Sequence, residues 1–475
     1  MINLQQYVKL TEEYNIIPVS ESFVLDTVTP IGAVGALTDG EENFFLLESA
    51  AGDEHLGRYS FLGMKPFAVF SSKNGVNKVT GIIEEENTLS PYLALQEFYD
   101  RLKVYVPQDK VFFGGGAGFF SYDSVRFIEN IPIQTGDIPD SIFIFPQNIV
   151  IFDHLKHEVS VIIFTFPKNN AELAFAEGQK ELGLLKKQLQ TMQSTMETVG
   201  EQKTEVSIPK EDPAIVAAIA KAKENIAAGD VFQIVLSKEF RFPFSGEPFA
   251  VYRRLRAVNP SPYLFYFKFN DFYVVGSSPE TLVKKAGDKV TTYPIAGTRR
   301  KTGDQLEDRK LEAELLADVK EKAEHVMLVD LGRNDIGKIA VPGSVRVKEF
   351  MSVQKFSHVM HIVSIVEGLC KRDITPLDVL QAVFPAGTVS GAPKVRAMEL
   401  ISESEKDSRG IYAGAVGYID FAGNCDFCIA IRTLVIKDEE VRIRAGAGIV
   451  ADSDPEKEFA EILAKANVLF ETVRG

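Results

Sequence analysis

The chain contains no tryptophan, and only three cysteines and six histidines among its 475 residues. So few cysteines, odd in number, exclude a disulfide scaffold. Cys425 and Cys428 have C-x-x-C spacing, but a closed zinc site needs about four ligands and no second pair exists. An excess of positive charge is also missing. With 52 basic against 66 acidic residues the net charge is −14, which argues against nucleic acid or an anionic membrane as partner. A small anionic substrate stays open, because a few local cations and backbone N–H groups suffice to hold one. No apolar run approaches the roughly 18 residues of a membrane span. Met1-Ile2-Asn3-Leu4-Gln5-Gln6 shows no cationic segment leading into an apolar core, so no signal peptide is expected and a cytoplasmic location is. No internal repeat is found.

What is present reads as an ordinary globular balance, 45% hydrophobic and 25% charged. Residues 16–166 are mostly strand-like, as in Asn43-Phe44-Phe45-Leu46-Leu47, Ile142-Phe143-Ile144-Phe145 and Val159-Ser160-Val161-Ile162-Ile163-Phe164. A helix is expected over 92–105. Gly114-Gly115-Gly116-Ala117-Gly118 lies between Phe112-Phe113 and Phe119-Phe120. A phosphate-cradling loop would want a following Lys-Ser/Thr or a helix start, so close backbone packing or a bulge is the reading here. Residues 171–196 read as an exposed helix, and 193–210 are polar. This gives an N-terminal region 1–170, a connector 171–210 and a C-terminal region 211–475. In the last, a helix over 213–228 stops at Gly229. Further strands are expected at 231–237, 263–269, 272–276, 289–294, 415–420, 428–436 and 441–445, and helices at 248–258, 307–329, 376–383, 392–403 and 455–471. No strand–helix–strand unit carries a dinucleotide-binding glycine fingerprint. Direct strand-to-strand steps predict antiparallel or mixed sheets, hence an α+β fold.

Several elements could carry chemistry. Asp454-Pro455 is a strong helix start, and Glu458 and Glu461 then share one face. They could hold a divalent cation, or form a solvated face with Glu461 and Lys465 as an i,i+4 ion pair. Ala445-Gly446-Ala447-Gly448 either lets a ligand approach the backbone or makes a tight strand-end turn. Glu324 lies in a helix so charged that most of its acids face water. His361 sits in an apolar stretch, as a hydrogen-bonded core residue or as a base. Gly387-Thr388-Val389-Ser390-Gly391-Ala392-Pro393-Lys394 surrounds hydroxyls with turn glycines before a helix start. Arg432 is embedded in the apolar strand Ile429-Ala430-Ile431-Arg432-Thr433. A cation there is costly unless an anion meets it, which marks it as a candidate to grip a carboxylate.

Together, and in this order, these segments resemble the chorismate-utilising enzymes, which include anthranilate synthase component I, aminodeoxychorismate synthase component I, and the isochorismate and salicylate synthases. The matching segments begin at Leu46-Leu47-Glu48-Ser49, Gly57-Arg58-Tyr59-Ser60 and the glycine-rich run. They continue through Gly229-Asp230-Val231-Phe232-Gln233, Gly276-Ser277-Ser278-Pro279-Glu280, Pro294-Ile295-Ala296-Gly297-Thr298 and Glu324-His325-Val326-Met327-Leu328-Val329-Asp330. His361, the Gly387–Lys394 segment, Tyr412 to Gly417, Arg432, Ala445 to Gly448 and Glu458 to Lys465 complete the set. The resemblance spans nearly the whole chain and implies that family's fold, mixed or antiparallel sheets forming a β-sandwich flanked by helices. Gln233 stands where the water-adding members carry a lysine base, and Ala296 where aminodeoxychorismate enzymes commonly carry a lysine nucleophile. Both point to the anthranilate-forming branch. Arg299-Arg300-Lys301-Thr302 departs from relatives that often have a proline after the first arginine.

The resemblance further implies Mg2+ bound by Glu324 and Glu461, with Glu458 acting through water, holding the ring carboxylate of chorismate. Arg432 and Tyr412 would hold the enolpyruvyl carboxylate, with Gly446, Gly448 and Lys465 nearby. Glu280 would protonate the departing hydroxyl as ammonia adds, beside Gln233, and His361 would assist loss of the ring proton. Thr298 and Thr388 would position the substrate. A feedback site for tryptophan is implied at Glu48, Ser49, Pro262, Tyr263, Leu264 and Cys428. With no recognisable glutaminase module in the chain, a separate glutamine amidotransferase is expected to supply ammonia. The alternatives are an aminodeoxychorismate-forming relative and a non-catalytic tryptophan-binding one.

Overall fold

The computed structural model describes residues 2–50, 57–107, 113–168, 170–192, 204–355 and 359–475. Part of the expected connector (193–203), Phe112 beside the glycine run, and residues 356–358 lie outside these. The described strands form one linked network folded into two layers. In the first, Ile17–Val24 pairs with Glu158–Thr165, which leads through Ser141–Asp153 and Tyr59–Lys73 to Asn43–Glu48. Tyr263–Phe269, Phe272–Ser278, Thr433–Lys437, Glu440–Ile449 and Gln233–Pro243 follow in that order. The second layer runs from Ser141–Asp153 through Gly115–Phe120, Ala415–Asp420, Cys425–Ile429, Thr281–Ala286 and Lys289–Thr292 to Val359–Leu369. Ile295–Arg300 and Arg346–Lys355 also pair with this last strand. Every one of these ladders is antiparallel.

Two long strands belong to both layers. Residues 59–64 of one pair with 148–153 of the other in the first layer, and 68–72 pair with 141–145 in the second. The register shifts between Pro66 and Ala68, an irregularity that bends a ladder and strengthens its twist. Between the layers lies an apolar core in which Phe45, Phe267, Val274 and Val435 face Ala117, Phe119, Ile144 and Val416. The outer face of the first layer packs Leu46, Ile163, Leu236 and Ile443 against Leu189, Ile219, Leu255 and Phe470 of four helices. The outer face of the second packs Phe143, Phe145 and Phe427 against Leu95, Phe98, Ile336 and Leu380. The result is a helix–sheet–sheet–helix sandwich, an α+β fold. Strands of the first 170 residues sit inside it beside strands of the rest, since Asn43–Glu48 pairs with Tyr263–Phe269 and Gly115–Phe120 with Ala415–Asp420.

Helix starts follow the local chemistry. Ser90, Asp212, Glu247, Thr375 and Asp454 each cap a helix whose first residue is proline, where a missing N–H costs nothing. The glycine run is the buried strand Gly115–Phe120. A Cβ on Gly118 would stand 1.8 Å from the Ile142 carbonyl oxygen, and one on Gly115 1.9 Å from that of Ile419. Close backbone packing is therefore its role. Cys425 packs toward the outer helices and Cys428 into the interlayer core, so the two thiols lie on opposite faces.

Four expectations need correction. The helix Ala171–Thr191 is not exposed along its length, because Leu182, Leu185 and Leu189 bury one face. The expected helix over 307–329 is two, Gln305–Ala317 and Val319–Ile339, divided at Asp318, whose carboxylate accepts the N–H groups of Lys320 and Glu321. The expected strand over 428–436 is two strands, one in each layer. The strand begun at Glu440 runs on to Ile449, so Gly446 and Gly448 lie within it and make no turn. No helix among the described residues is long and apolar enough to cross a membrane.

Candidate active site

Two segments of chain cross between the layers side by side. After Phe272–Ser278 the chain passes through Pro279 and Glu280 into Thr281–Ala286 of the second layer. After Cys425–Ile429 it returns through Ala430, Ile431 and Arg432 to Thr433–Lys437 of the first. The crossings are tied together, Ile429 N–H to the Glu280 carbonyl at 3.0 Å and Ser277 N–H to the Arg432 carbonyl at 3.1 Å. Arg432 adopts a left-handed backbone, φ 49°, which a non-glycine residue seldom does outside constrained sites. Topology thus places Glu280 and Arg432 in one cleft, walled also by Pro294, Leu331 and Thr388 near Glu280.

The Glu280 carboxyl is surrounded by protein, although the residue keeps some surface in the cleft. Burial pushes its pKa up to about 7, against the pull of the Thr388 hydrogen bond and the charges of Lys465 and Arg432. Thr388 Oγ1 donates to Glu280 Oε1 at 2.9 Å. That bond favours the charged form, but with no cation in direct contact burial prevails and the carboxyl still holds much of its proton as pH approaches 7. Burial lowers the pKa of Arg432, and the charge of Glu280 opposes this. The Arg432 guanidinium reaches Asn259 Oδ1 at 3.4 Å, and no carboxylate among the described residues forms an ion pair with it. An enclosed cation without its own counter-ion favours an incoming anion.

Thr298 and His361 face each other across the Ile295–Arg300 and Val359–Leu369 ladder, where the register shifts around Gly297. His361 Nδ1 lies 2.9 Å from the Gly297 carbonyl and 3.1 Å from Thr298 Oγ1. Facing a carbonyl, Nδ1 carries the hydrogen, which makes Nε2 the basic nitrogen. Burial lowers the His361 pKa; the Gly297 bond opposes that and the Arg432 charge adds to it. The ring is therefore neutral near neutral pH.

On the first-layer wall, Gly446 and Gly448 make room for two side chains. A Cβ on Gly446 would stand 2.5 Å from the Tyr412 hydroxyl, and one on Gly448 2.8 Å from Gln233 Nε2. Gln233 is 4% exposed, and its Oε1 is buried without a hydrogen-bond partner. An unpaired buried amide oxygen is costly and marks a place for a donor that binding supplies. Burial pushes Tyr412 up to about 12.

Two helices bring the acidic residues to the cleft. Glu324 stands on Val319–Ile339, its pKa raised by burial and then by the charges of Glu321 and Glu461. Lys465 pairs with Glu461 at 2.7 Å, both about half exposed, and donates to the Gly446 carbonyl at 3.2 Å. Of the two sequence readings of this face, the i,i+4 ion pair exists, and Glu461 also lies near enough to Glu324 for its charge to act on that carboxyl. Glu458 is half-buried one turn earlier on the same helix. Among the described residues no three of His, Cys, Asp or Glu converge as a closed metal cage. Glu324 and Glu461 are carboxylates close enough to interact, and a Mg2+ ion, which keeps several waters and shares its positions with substrate, would need only a few such oxygens from the protein.

The residues expected to bind tryptophan gather elsewhere, where Asn43–Glu48 meets Tyr263–Phe269. Ala50 N–H bonds the Ser261 carbonyl at 3.0 Å, and Leu264 lies opposite Glu48. Glu48 accepts from Tyr252 at 2.6 Å and from Arg256 at 2.9 Å. The Ser49 hydroxyl is buried without a partner. Tyr263 donates to Asp426 at 2.7 Å and packs against the interlayer cluster that includes the buried Cys428, and Pro262 directly precedes it. Asn259, which opens the segment that carries Pro262 and Tyr263, also touches Arg432; Arg409 lies under Tyr412 and bonds the carbonyls of Val389 and Val235, contacts that no local pattern marks.

With this geometry in hand, the comparisons are direct. Residues 42–471 match the chorismate binding enzyme family, and the chain belongs to that family. Among its curated relatives, anthranilate synthase component 1 of Aquifex aeolicus (strain VF5) is 42% identical over 489 aligned positions, covering 99% of this chain and 97% of that one. The same-named protein of Acetivibrio thermocellus is 41% identical, covering 98% and 96%. Among solved structures, anthranilate synthase component I from Streptococcus pneumoniae TIGR4 superposes with a TM-score of 0.79 at 36% identity, over 94% of this chain and 99% of that one. The menaquinone-specific isochorismate synthase of Escherichia coli, 19% identical, superposes with a TM-score of 0.74 over 99% of each chain and shares the fold.

Proposed function

We propose that this protein is the amination component of an anthranilate-forming enzyme of tryptophan biosynthesis, converting chorismate and ammonia to anthranilate, pyruvate and water. The observation that carries the reading is an enclosed Glu280 bonded to Thr388, with the unpartnered amide oxygen of Gln233 on the strand that pairs with Gly391–Ala392 just beyond Thr388. An amide cannot deprotonate water, but it can accept a hydrogen bond from ammonia, which is already nucleophilic. Relatives of the same name at about 40% identity over almost the whole chain support it.

Arg432 and the Tyr412 hydroxyl hold the enolpyruvyl carboxylate, with the backbone at Gly446 and Gly448 close enough to a bound anion to assist. Thr298 and Thr388 orient the ring. Glu280 donates its proton to the ring hydroxyl, which leaves as water while ammonia bonds to the ring. His361 Nε2 then takes the ring proton as the enolpyruvyl group leaves and the ring becomes aromatic. Glu324 and Glu461, with Glu458 through water, would hold a Mg2+ ion that neutralises the ring carboxylate and makes the ring a better electron sink. A separate glutamine amidotransferase supplies ammonia in the cytoplasm. Tryptophan inhibits from the cluster at Glu48, Ser49, Pro262, Tyr263, Leu264 and Cys428, where the buried Ser49 hydroxyl awaits a partner. The region 1–170 contributes Glu48 and Ser49 to that feedback site, and 211–475 contributes its other residues and the chemistry, joined by 171–210.

Incubation with chorismate, Mg2+ and ammonium tests the reading. Fluorescent anthranilate and pyruvate should form in equal amounts. Accumulation of an aminated intermediate without pyruvate would replace the proposal with the aminodeoxychorismate reaction.

A further inference from the structure

The Arg409 guanidinium is almost wholly buried, its side chain 2% exposed, and its contacts radiate to separate parts of the cleft. Nε and Nη2 form a bidentate pair with Glu405 at 2.8 and 2.7 Å. Nη1 donates to the carbonyl of Val389 at 2.7 Å, and Nη2 also donates to that of Val235 at 2.7 Å. Val389 follows Thr388, the hydroxyl that bonds Glu280. Val235 lies two residues beyond Gln233 on the same strand, and Val235 N–H bonds the Ser390 carbonyl at 2.9 Å. The guanidinium plane also lies 5.7 Å from the ring centre of Tyr412.

We infer that Arg409 is a positioning residue for the reaction, one rigid fork fixing the backbone beside Thr388 and Gln233 while its face supports Tyr412. The inference rests on the proposed roles of Glu280 and Thr388. Arginine is suited to this because its donors point in fixed directions from a planar group, whereas a lysine ammonium offers charge without that geometry. Glu405 anchors the fork. It also accepts the Ser237 N–H at 2.8 Å and an Arg444 donor at 3.2 Å, so Glu405 is itself held in place and cannot shift without breaking a second ion pair.

The test is a double-mutant cycle between Arg409→Lys and Thr388→Val, read as kcat and as the basic limb of its pH profile, with Tm recorded for each protein. Losing the Thr388 hydrogen bond, which lowers the Glu280 pKa, shifts the basic limb to higher pH. Lys465 and Arg432, the other groups Glu280 feels, are unchanged in every variant. Arg409→Lys should lower kcat about tenfold or more, move the basic limb the same way as Thr388→Val, and add no further shift in the double variant. Losses that multiply, with an unmoved limb in Arg409→Lys, would overturn the inference and leave Arg409 a stability residue. Should Arg409→Lys not fold, Glu405→Asp shortens the anchor, retains its charge and enters the same cycle with the same two outcomes. Failure of the wild-type protein to make anthranilate would count against the proposed reaction instead, so the two failures are separable.

Discussion

Two glutamates sit deep in this molecule under similar burial and end with opposite character. Burial raises the Glu280 pKa to about 7, with one neutral hydroxyl donor in direct contact and the nearest cations acting only at longer range. Burial pushes Glu405 upward as well, but Arg409 and Arg444 overcome it and hold the carboxyl below the usual range. Desolvation alone therefore does not decide whether an enclosed carboxyl is charged. Direct pairing decides it. Glu405 is an anionic brace with committed oxygens, while Glu280 keeps a proton available for chemistry. Their link is spatial, since the guanidinium that neutralises Glu405 also grips the carbonyl next to Thr388, the residue that holds Glu280.

The contrast is broken most severely at Glu280. Glu280→Gln should lower kcat by about 10²- to 10⁴-fold in steady-state assays with ammonium, with Tm no lower than wild type, because the substitution removes no ion pair. Glu405→Gln should do the reverse, losing about 3–5 kcal/mol of stability in urea unfolding, since two buried guanidinium groups lose their shared anion. Equal behaviour of the two variants in both assays would erase the distinction. A milder test is pH. The active form of Glu280 is protonated, so kcat should fall as pH rises through about 7, and this fall should be absent from whatever activity Glu280→Gln retains. The smallest effect is expected at Gly448→Ala. Its methyl would meet Gln233 Nε2 at 2.8 Å, the movable end of a side chain, so the ammonium KM should rise only about threefold with kcat nearly kept.

Much of the architecture was legible along the chain. Strands 263–269 and 415–420 fall where short runs rich in aromatic and aliphatic residues put them, and Asp454-Pro455 opens its helix as cap chemistry predicts. The breaks were not legible. Asp318 lies within a continuous charged periodicity, and only the Lys320 and Glu321 N–H groups it accepts show that it ends one helix and begins another. Arg432 reads as mid-strand because the residues on either side are apolar. They are apolar for different sheets, and a crossing between layers leaves no periodicity of its own. In the cleft, ordered motifs marked Glu280, Thr388, His361 and Gln233. The Arg409 brace was hidden because the carbonyl it grips at Val235 lies 174 positions away in the chain.

The central claim is that Glu280 stays protonated near neutrality because it is enclosed without a direct ionic partner. A 13C NMR titration of glutamate carboxyl groups in the folded protein, differenced against Glu280→Gln, reads that proton directly. The account predicts one resonance, missing from the variant, that titrates at about 7. A Glu280 resonance titrating near the ordinary glutamate value of about 4.3 would contradict it.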